Sequence, residues 1–338
     1  FKNPRGRQDC PRVVVCARKG DRMTSFVNPH YIFNPLPDEV DITLSPTQIM
    51  KSMVCTRLLG YYRARVKPEA TPLNLLFGSA LHWVIEGFVK GYIPEEEMAT
   101  QFINKFEGLS DGKLISMAKS KSRETAEVLG KQLAAGFPSY FRNLGLKPLI
   151  IEGQFKLKIA ERTFITLVID FVGECTKPIF NPKGEMLADV GDVVILDWKT
   201  AAQPEGELFS RYGYQLTYYW LAVKLACQQL GIREPKLCGY ASGQKPNITK
   251  PDSKSVVNAI WHPVHWVKRT AADIEEAVEY ARVVAKRLRA GEFFRAPHMA
   301  YDSPCDSHSK RCDMAGLCLE GCLSGYSVKA GLTLADLI

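Results

Sequence analysis

Two charged side chains follow an almost fully apolar stretch, Val-Val-Ile-Leu at 193–196. These are Asp197 and Lys199, and because positions i and i+2 of a strand point to the same face, they would project together. Asp170 likewise ends an apolar stretch. Two carboxylates beside a lysine favour a divalent cation that polarises a phosphate, while the lysine orients or deprotonates the attacking water. A buried Asp–Lys ion pair is the simpler alternative.

Two helical patterns supply further polar side chains. Gly78, His82 and Glu86 recur every four residues, away from the centre of an apolar stripe, so we expect His82 to face a cleft or solvent, where a neutral imidazole can ligate a metal. Gln215 and Tyr219 are four positions apart and share a helix face. They could donate hydrogen bonds to the lysine, the water or a phosphate. Each residue taken singly also fits an ordinary surface or capping role.

The cysteines are concentrated near the C-terminal end. Of ten in the chain, four fall within 18 residues, namely Cys305, Cys312, Cys318 and Cys322. In a long chain such a late group indicates metal ligation rather than a disulfide scaffold. One interpretation is a local zinc site of these four residues, with His308 as a further donor. The other six cysteines are isolated: Cys55 falls in the first predicted helix, Cys10 and Cys16 have no evident partner, and Cys175, Cys227 and Cys238 are expected to be small buried apolar groups.

The order of predicted elements indicates how these residues are positioned. Helices are predicted from Ser45-Pro46 to about Arg65, from Thr71-Pro72 onward with further segments to about Asn143 broken at Gly108, Gly112 and Pro138, at 211–230 and at 271–290. Strands are predicted at 149–159, 163–173 and 193–198, near 237–241 and at 256–264. This order favours an α/β domain whose mixed sheet is sandwiched by helices.

Four regions follow from this pattern. Residues 1–44 form a basic irregular arm, 45–148 a helical region with His82 and Cys55, 149–292 the α/β core, and 293–338 a cysteine-rich tail. The segment 176–192 is expected to be an extended connection or an insertion.

Composition and charge limit the class of protein. Of 338 residues, 46% are hydrophobic and 24% charged; no apolar run reaches the roughly 18–20 residues of a membrane span, and no secretory signal is evident. We therefore expect a soluble, cytoplasmic protein with no membrane partner. The net charge of +8, with basic residues concentrated in 1–22, 51–67 and 282–289, permits a polyanionic partner. Solvated basic faces are the alternative.

Taken in order, these residues resemble the motifs of RecB-like nucleases in the PD-(D/E)XK superfamily, including AddB and CRISPR-associated nucleases. The motifs are Ser45-Pro46-Thr47-Gln48 with Cys55 and Tyr61-Tyr62, Phe77-Gly78-Ser79-Ala80-Leu81-His82, Asp170, Asp197-Trp198-Lys199-Thr200, and Gln215-Leu216-Thr217-Tyr218-Tyr219. The similarity spans about residues 45–322. Five weak motifs in this order are far more specific than any one of them.

The resemblance implies a restriction-endonuclease-like α/β/α core with a mixed β-sheet, an N-terminal helical region and a cysteine-rich C-terminal iron–sulfur segment. It implies Mg²⁺ or Mn²⁺ held by His82, Asp170 and Asp197 with help from a main-chain carbonyl. Lys199 would be the catalytic lysine, and Gln215 and Tyr219 would position phosphate or water. Glu152 resembles a frequent acidic position that ligates the metal or supports its ligands.

The resemblance also implies a [4Fe–4S] cluster. In the iron–sulfur members one cysteine precedes the core and three follow it, which here implies Cys55, Cys305, Cys312 and Cys318 as ligands. Such a clip would join the two ends of the chain across a very long loop. Zinc remains the alternative, and Cys322 could replace Cys55 or Cys305.

The implied activity is hydrolysis of DNA, as an exonuclease acting on single strands or free ends. Recombination, repair, phage DNA processing and CRISPR adaptation are the implied settings, with bacterial, archaeal or phage origin and possible protein partners from those processes. The basic arm would follow the DNA backbone and the segment 92–145 would cover the cleft. Two alternatives are a catalytically inactive DNA-binding scaffold subunit and a zinc-stabilised, structure-specific endonuclease.

Overall fold

The computed structural model describes residues 35–117, 122–245, 258–296, 305 and 312–328. Most of the predicted basic arm, Cys10, Cys16 and His308 lie outside these described residues. None of the helices within them combines the length and apolar character that a membrane span requires.

The helices and strands follow the predicted order, with some differences in their bounds. The helices are α1 (Pro46–Val54), α2 (Arg57–Arg63), α3 (Leu73–Val89), α4 (Met98–Ser110), α5 (Arg123–Leu144), α6 (Glu207–Tyr212), α7 (Tyr214–Leu230), α8 (Ala271–Ala290) and α9 (Ala315–Glu320). The strands are β1 (Ile42–Leu44), β2 (Lys67–Pro68), β3 (Thr71–Pro72), β4 (Ile115–Ser116), β5 (Leu146–Ala160), β6 (Thr163–Cys175), β7 (Ile179–Phe180), β8 (Met186–Ala188), β9 (Val193–Ala201), β10 (Pro235–Gln244), β11 (Ile260–Trp261) and β12 (Tyr326–Ser327).

A mixed sheet forms the middle layer, in the order β1-β6-β9-β10-β11 with β5 also paired to β6. Strand β6 runs antiparallel to β5 and β9, whereas β1 is parallel to β6 and β10 is parallel to β9. The apolar β9 is covered on both faces, as its near-continuous apolar sequence predicts. Residues Val193–Trp198 are all buried.

One edge of β6 is divided between two strands. Since β5 pairs with β6 from Thr163 to Cys175, β1 and β9 share the opposite edge. Strand β1 pairs with residues 163–165 and β9 with residues 171–174. No strand in the described part of the chain pairs with residues 166–170 on that edge. The sheet is therefore open there, and we call this stretch the sheet opening.

A hydrophobic core lies on each side of the sheet. Helices α1, α2, α7 and α8 cover one face, with Ile49, Leu216 and Ala281 in what we call the first core. Helices α3, α4 and α5 cover the other face, where Phe77 and Phe137 belong to the second core. The predicted α/β/α arrangement with a mixed sheet is confirmed, and the helices between residues 45 and 148 contribute to both outer layers.

Several helix predictions were wrong in detail; Gly108, for example, lies within α4 rather than breaking it. The first predicted helix is two helices, because Cys55 adopts an extended conformation (φ −157°, ψ 110°) that ends α1. Pro138 does not break its helix but lies buried inside α5, although an interior proline costs roughly 3 kcal/mol. Burial of Leu133 and Phe137 beside it in the second core stabilises the helix, and the Trp261 indole donates to the Leu133 carbonyl at 2.9 Å.

The connection 176–192 contains a small hairpin, in which β7 and β8 pair antiparallel. Asn181 organises the turn, where its side-chain oxygen accepts hydrogen bonds from the backbone of Lys183 and Glu185, each at 2.9 Å. This small hairpin accounts for the long spacing between Asp170 and Asp197.

Candidate active site and thiol cavity

The sheet opening brings together polar residues from β6 and β9. Asp170 is the last residue of the open stretch, within β6 rather than at its end, and β9 leaves β6 after Leu196. The Trp198 backbone N–H then donates to Asp170 Oδ2 at 2.8 Å. Because the strands separate at this point, the side chains of Asp197 and Asp170 reach space that a continuous sheet would fill.

Asp197 is almost fully buried, with 1% exposure, and is surrounded by polar groups. Lys199 Nζ lies 2.6 Å from its Oδ2, so the two residues do project together. Its Oδ1 accepts hydrogen bonds from Gln215 Nε2 at 2.9 Å and from the Tyr219 hydroxyl at 3.2 Å. Oδ2 forms the ion pair with Lys199, and no other described residue donates a hydrogen bond to it. The Asp197 carboxylate is thus held by Lys199, Gln215 and Tyr219.

His82 reaches the same place from α3. Its Nε2 lies 2.8 Å from the Trp198 carbonyl oxygen, and its Nδ1 lies 3.6 Å from Asp170 Oδ2. Burial lowers the pKa of His82, so the ring is neutral at neutral pH. If Nε2 carries the proton and donates to the carbonyl, the Nδ1 lone pair faces a carboxylate. That arrangement is favourable when a cation lies between the two groups.

Glu152 is the third member of this group. The ligand atoms of His82, Glu152 and Asp170 all lie within 4.8 Å of one another, which is close enough to hold one metal ion. The backbone of Glu152 is in the left-handed region, with φ +53°, where a residue with a side chain is strained by about 1–3 kcal/mol.

The strained residue lies where the side chains of the β5–β6 hairpin change the core into which they pack. Leu167 and Ile169 pack into the first core, whereas Phe171 packs into the second. Across the hairpin, Phe155 contacts the first core and Ile151 the second. Alternate side chains of each strand therefore turn from the first core to the second at Asp170 and Glu152. As a result, neither carboxylate is packed into a hydrophobic core.

The electrostatics of the group favour a bound cation. Burial raises the pKa of Asp170 well above its usual range, and the nearby Asp197 raises it further. Burial also raises the pKa of Glu152, followed by the charge of Glu86. For Lys199, burial acts to lower the pKa, but Asp197 outweighs it and the pKa is raised. Carboxylates that are costly to ionise together are those that a divalent cation would neutralise.

A second group of predicted residues meets in a separate cavity of about 700 Å³, the thiol cavity. Cys55, Cys305, Cys312 and Cys318 all line it, and Cys322 does not. Burial raises the pKa of the Cys312 thiol, and the neighbouring Cys305 and Cys55 raise it further. Among the described residues, the charged side chains that also line it are five basic and one acidic: Lys51, Arg57, Arg65, Lys67, Arg295 and Asp313.

Backbone contacts already join the two ends of the chain around this cavity. Phe294 exchanges hydrogen bonds with the Thr56 side chain at 2.7 and 3.2 Å. Strand β12 pairs with β2 through Tyr326 and Pro68.

Sequence reasoning missed Tyr240, which supports the lysine. In the β9–β10 register Tyr240 lies opposite Asp197, and Lys199 Nζ lies 5.5 Å from the centre of its ring, a cation–π distance. Its buried hydroxyl has no hydrogen-bond partner among the described residues. Only the pairing register of two strands far apart in sequence places this ring, so no local pattern could have identified it.

Comparison with known proteins identifies a family for this chain. The profile of the family described as the PD-(D/E)XK nuclease superfamily matches residues 43–319, which include the candidate active-site residues and the four cysteines that line the thiol cavity. No curated protein matches the chain. A crystal structure from Eubacterium rectale, named as a putative exonuclease, is similar over 94% of this chain and 98% of its own, with 12% sequence identity and a TM-score of 0.43. On the family match, the chain belongs to the PD-(D/E)XK nuclease superfamily.

Proposed function

We propose that this chain is a divalent-metal-dependent deoxyribonuclease that hydrolyses phosphodiester bonds as an exonuclease, on single-stranded DNA or DNA ends. One observation supports this assignment most directly. A neutral imidazole from α3, a carboxylate from β6, and a carboxylate and a lysine from β9 converge at the sheet opening. A buried Asp–Lys ion pair alone would explain neither His82 nor the crowded carboxylates.

The proposed metal is Mg²⁺ or Mn²⁺, since both prefer hard oxygen ligands. His82, Asp170 and Asp197 would hold it, and Glu152 joins them because its carboxylate lies within 4.8 Å of the His82 and Asp170 donors. The donor set fits, because burial and the nearby Asp197 charge raise the pKa of Asp170, and a bound cation would offset the cost of ionising this carboxylate. When bound, such an ion supplies Lewis-acid polarisation of the phosphate and lowers the pKa of water.

The chain's own residues divide the remaining work. Lys199 stays protonated, because the Asp197 charge raises its pKa, so its ammonium holds the water or the phosphate oxygen rather than accepting a proton in this state. Gln215 and Tyr219 orient the Asp197 carboxylate through Oδ1. The ring face of Tyr240 contacts the Lys199 ammonium and helps to hold it in position.

The thiol cavity is proposed to hold a [4Fe–4S] cluster through Cys55, Cys305, Cys312 and Cys318. All four line one cavity although they come from opposite ends of the chain. A thiolate-bound cluster is anionic, and the basic lining residues would offset that charge. A local zinc site that uses Cys322 is less well supported, because Cys322 is absent from the lining while Cys55 is present.

DNA as substrate is supported by the family match and by the net charge of +8. The preference for ends and single strands rests on the resemblance to RecB-like nucleases. Roles in recombination, repair or phage and CRISPR DNA processing have the same support.

End-labelled DNA tests the function. Purified protein is incubated with linear and circular DNA, single- and double-stranded, with Mg²⁺, Mn²⁺ or EDTA. We expect the label to be released from linear DNA in either metal, no cleavage of circles, and no cleavage by Asp197→Ala. Cleaved circles would replace the exonuclease by an endonuclease. Wild-type protein that binds DNA but cleaves nothing in both metals would instead favour the inactive scaffold.

Replacing Glu152 tests its part in metal binding. Asparagine tolerates a positive φ better than most residues, so Glu152→Asn removes the charge without adding backbone strain. We expect the Mn²⁺ concentration for half-maximal cleavage to rise about tenfold or more, with a smaller change in the maximal rate. Glu161→Asn, in an exposed turn, is the control. An unchanged metal titration would remove Glu152 from the metal site.

A further inference from the structure

A groove of about 590 Å³ opens beside the candidate active site. Gln215 and Tyr219 form one wall, and both bind the Asp197 carboxylate. The open edge of β6 forms the floor through Thr166, Leu167 and Val168. The groove is therefore the direct continuation of the sheet opening away from the proposed metal ligands. Its volume falls in the range of roughly 300–1,000 Å³ that is usual for small-ligand sites.

The lining of the groove suits an anion. Among the described residues, Lys156 is the one charged side chain that lines it, and none of them brings a carboxylate to the lining. Thr47, Gln154 and Thr166 add neutral donors. None of these four side chains makes a hydrogen bond or ion pair that would occupy it within the described ranges; the ammonium of Lys156 rests over the Phe164 ring at 4.1 Å. The Ser45 hydroxyl is already used, since it accepts the Gln48 N–H.

We propose that this groove binds the sugar–phosphate backbone of the DNA strand next to the bond that is cut, with Lys156 on a phosphate. The inference rests on the proposed function, and it adds where the strand runs: along the β5–β6 hairpin and past the start of α1. Two features favour this occupant. The groove is continuous with the site, and its cation and neutral donors match phosphate and sugar oxygens. Val168, 41% exposed on the groove floor, offers an apolar surface to a sugar or base.

Equilibrium binding without metal tests the inference separately from cleavage. A short fluorescein-labelled oligothymidylate is titrated with protein in EDTA at several salt concentrations, and anisotropy is measured. Lys156→Ala should weaken binding about tenfold at low salt and reduce the slope of log Kd against log salt by about 1. Lys158→Ala is the matched control, because Lys158 is exposed on the same face of β5 two residues away but does not line the groove.

A second variant places a negative charge in the groove. Val168→Glu changes an exposed side chain and should fold normally, yet it should weaken binding more than Lys156→Ala does. Val190→Glu, at an exposed site outside the groove, controls for the added charge.

The outcomes distinguish failure of the groove as a DNA-binding site from failure of the proposed nuclease activity. If Lys156→Ala matches Lys158→Ala and Val168→Glu binds like Val190→Glu, the groove does not hold the strand, even if wild-type protein cleaves DNA. If the groove variants weaken binding as expected but wild-type protein never cleaves DNA, the groove stands and the proposed nuclease activity fails.

Discussion

Replacing Lys199 by alanine is expected to reduce the rate of DNA cleavage by about a thousandfold or more. The ammonium is the cation closest to the buried Asp197 carboxylate, at 2.6 Å, and it points into the sheet opening where the phosphate is proposed to lie. Loss of one preorganised charged group of this kind typically costs about 10²–10³ in rate, and here the lysine also helps to place the attacking water. Single-turnover cleavage of an end-labelled strand measures the effect.

The same substitution should leave DNA binding nearly unchanged, since the groove cation is Lys156. The melting temperature should fall by a few degrees, because Asp197 loses its partner while remaining buried. Lys199→Arg keeps the charge and should restore part of the rate, whereas Lys158→Ala should behave as wild type. A folded Lys199→Ala protein that retains more than about a tenth of the wild-type rate would remove the lysine from the chemistry.

Replacing Cys312 by serine is expected to abolish the proposed cluster. Protein purified without oxygen should be brown, with absorbance near roughly 400 nm from iron–thiolate charge transfer, and Cys312→Ser should lose both the colour and the iron. Stability should fall on the order of 5 kcal/mol, because a bound metal group that links distant segments contributes its binding energy to folding. Iron analysis, absorbance and thermal unfolding measure the three effects.

Cys322→Ser is the matched control, since Cys322 lies close in sequence but outside the lining of the thiol cavity. Cys55→Ser should resemble Cys312→Ser, although Cys55 is more than 200 residues away. Colourless protein that contains zinc, is sensitive to Cys322→Ser and is indifferent to Cys55→Ser would establish the local zinc alternative instead.

Predictions from local sequence succeeded where local interactions determine the structure. Helix α8 has the predicted bounds because Thr270 and Asp273 form a capping box at its start and Gly291, with φ +72°, ends it. The i, i+4 spacing placed Gln215 and Tyr219 together, and they are hydrogen-bonded at 2.8 Å. The i, i+2 spacing likewise placed Asp197 beside Lys199. The off-centre position of His82 on its apolar stripe indicated a side chain facing the cleft, and it does contact β9.

The remaining features depend on contacts between distant segments. The sheet opening exists because β1 and β9 divide one edge of β6, and neither the parallel pairing of β1 nor its length of three residues has a local signal. The positive φ of Glu152 is also invisible in sequence, since glutamate has no preference for that conformation. Pro138 shows the reverse effect, because burial in the second core outweighs a local helix-breaking signal.

Helix α1 has one end in each of the two regions that matter here. Ser45, its N-cap, borders the groove, and Cys55, its C-cap, borders the thiol cavity. A nine-residue helix is about 13 Å long and moves as a stiff rod. We expect loss of the group held by the thiols to tilt α1 and so to shift the part of the groove that its N-terminal end lines. The redox or metal state of the thiol cavity would then change the affinity of the groove for the DNA strand. Unchanged oligonucleotide affinity in Cys55→Ser would contradict such communication.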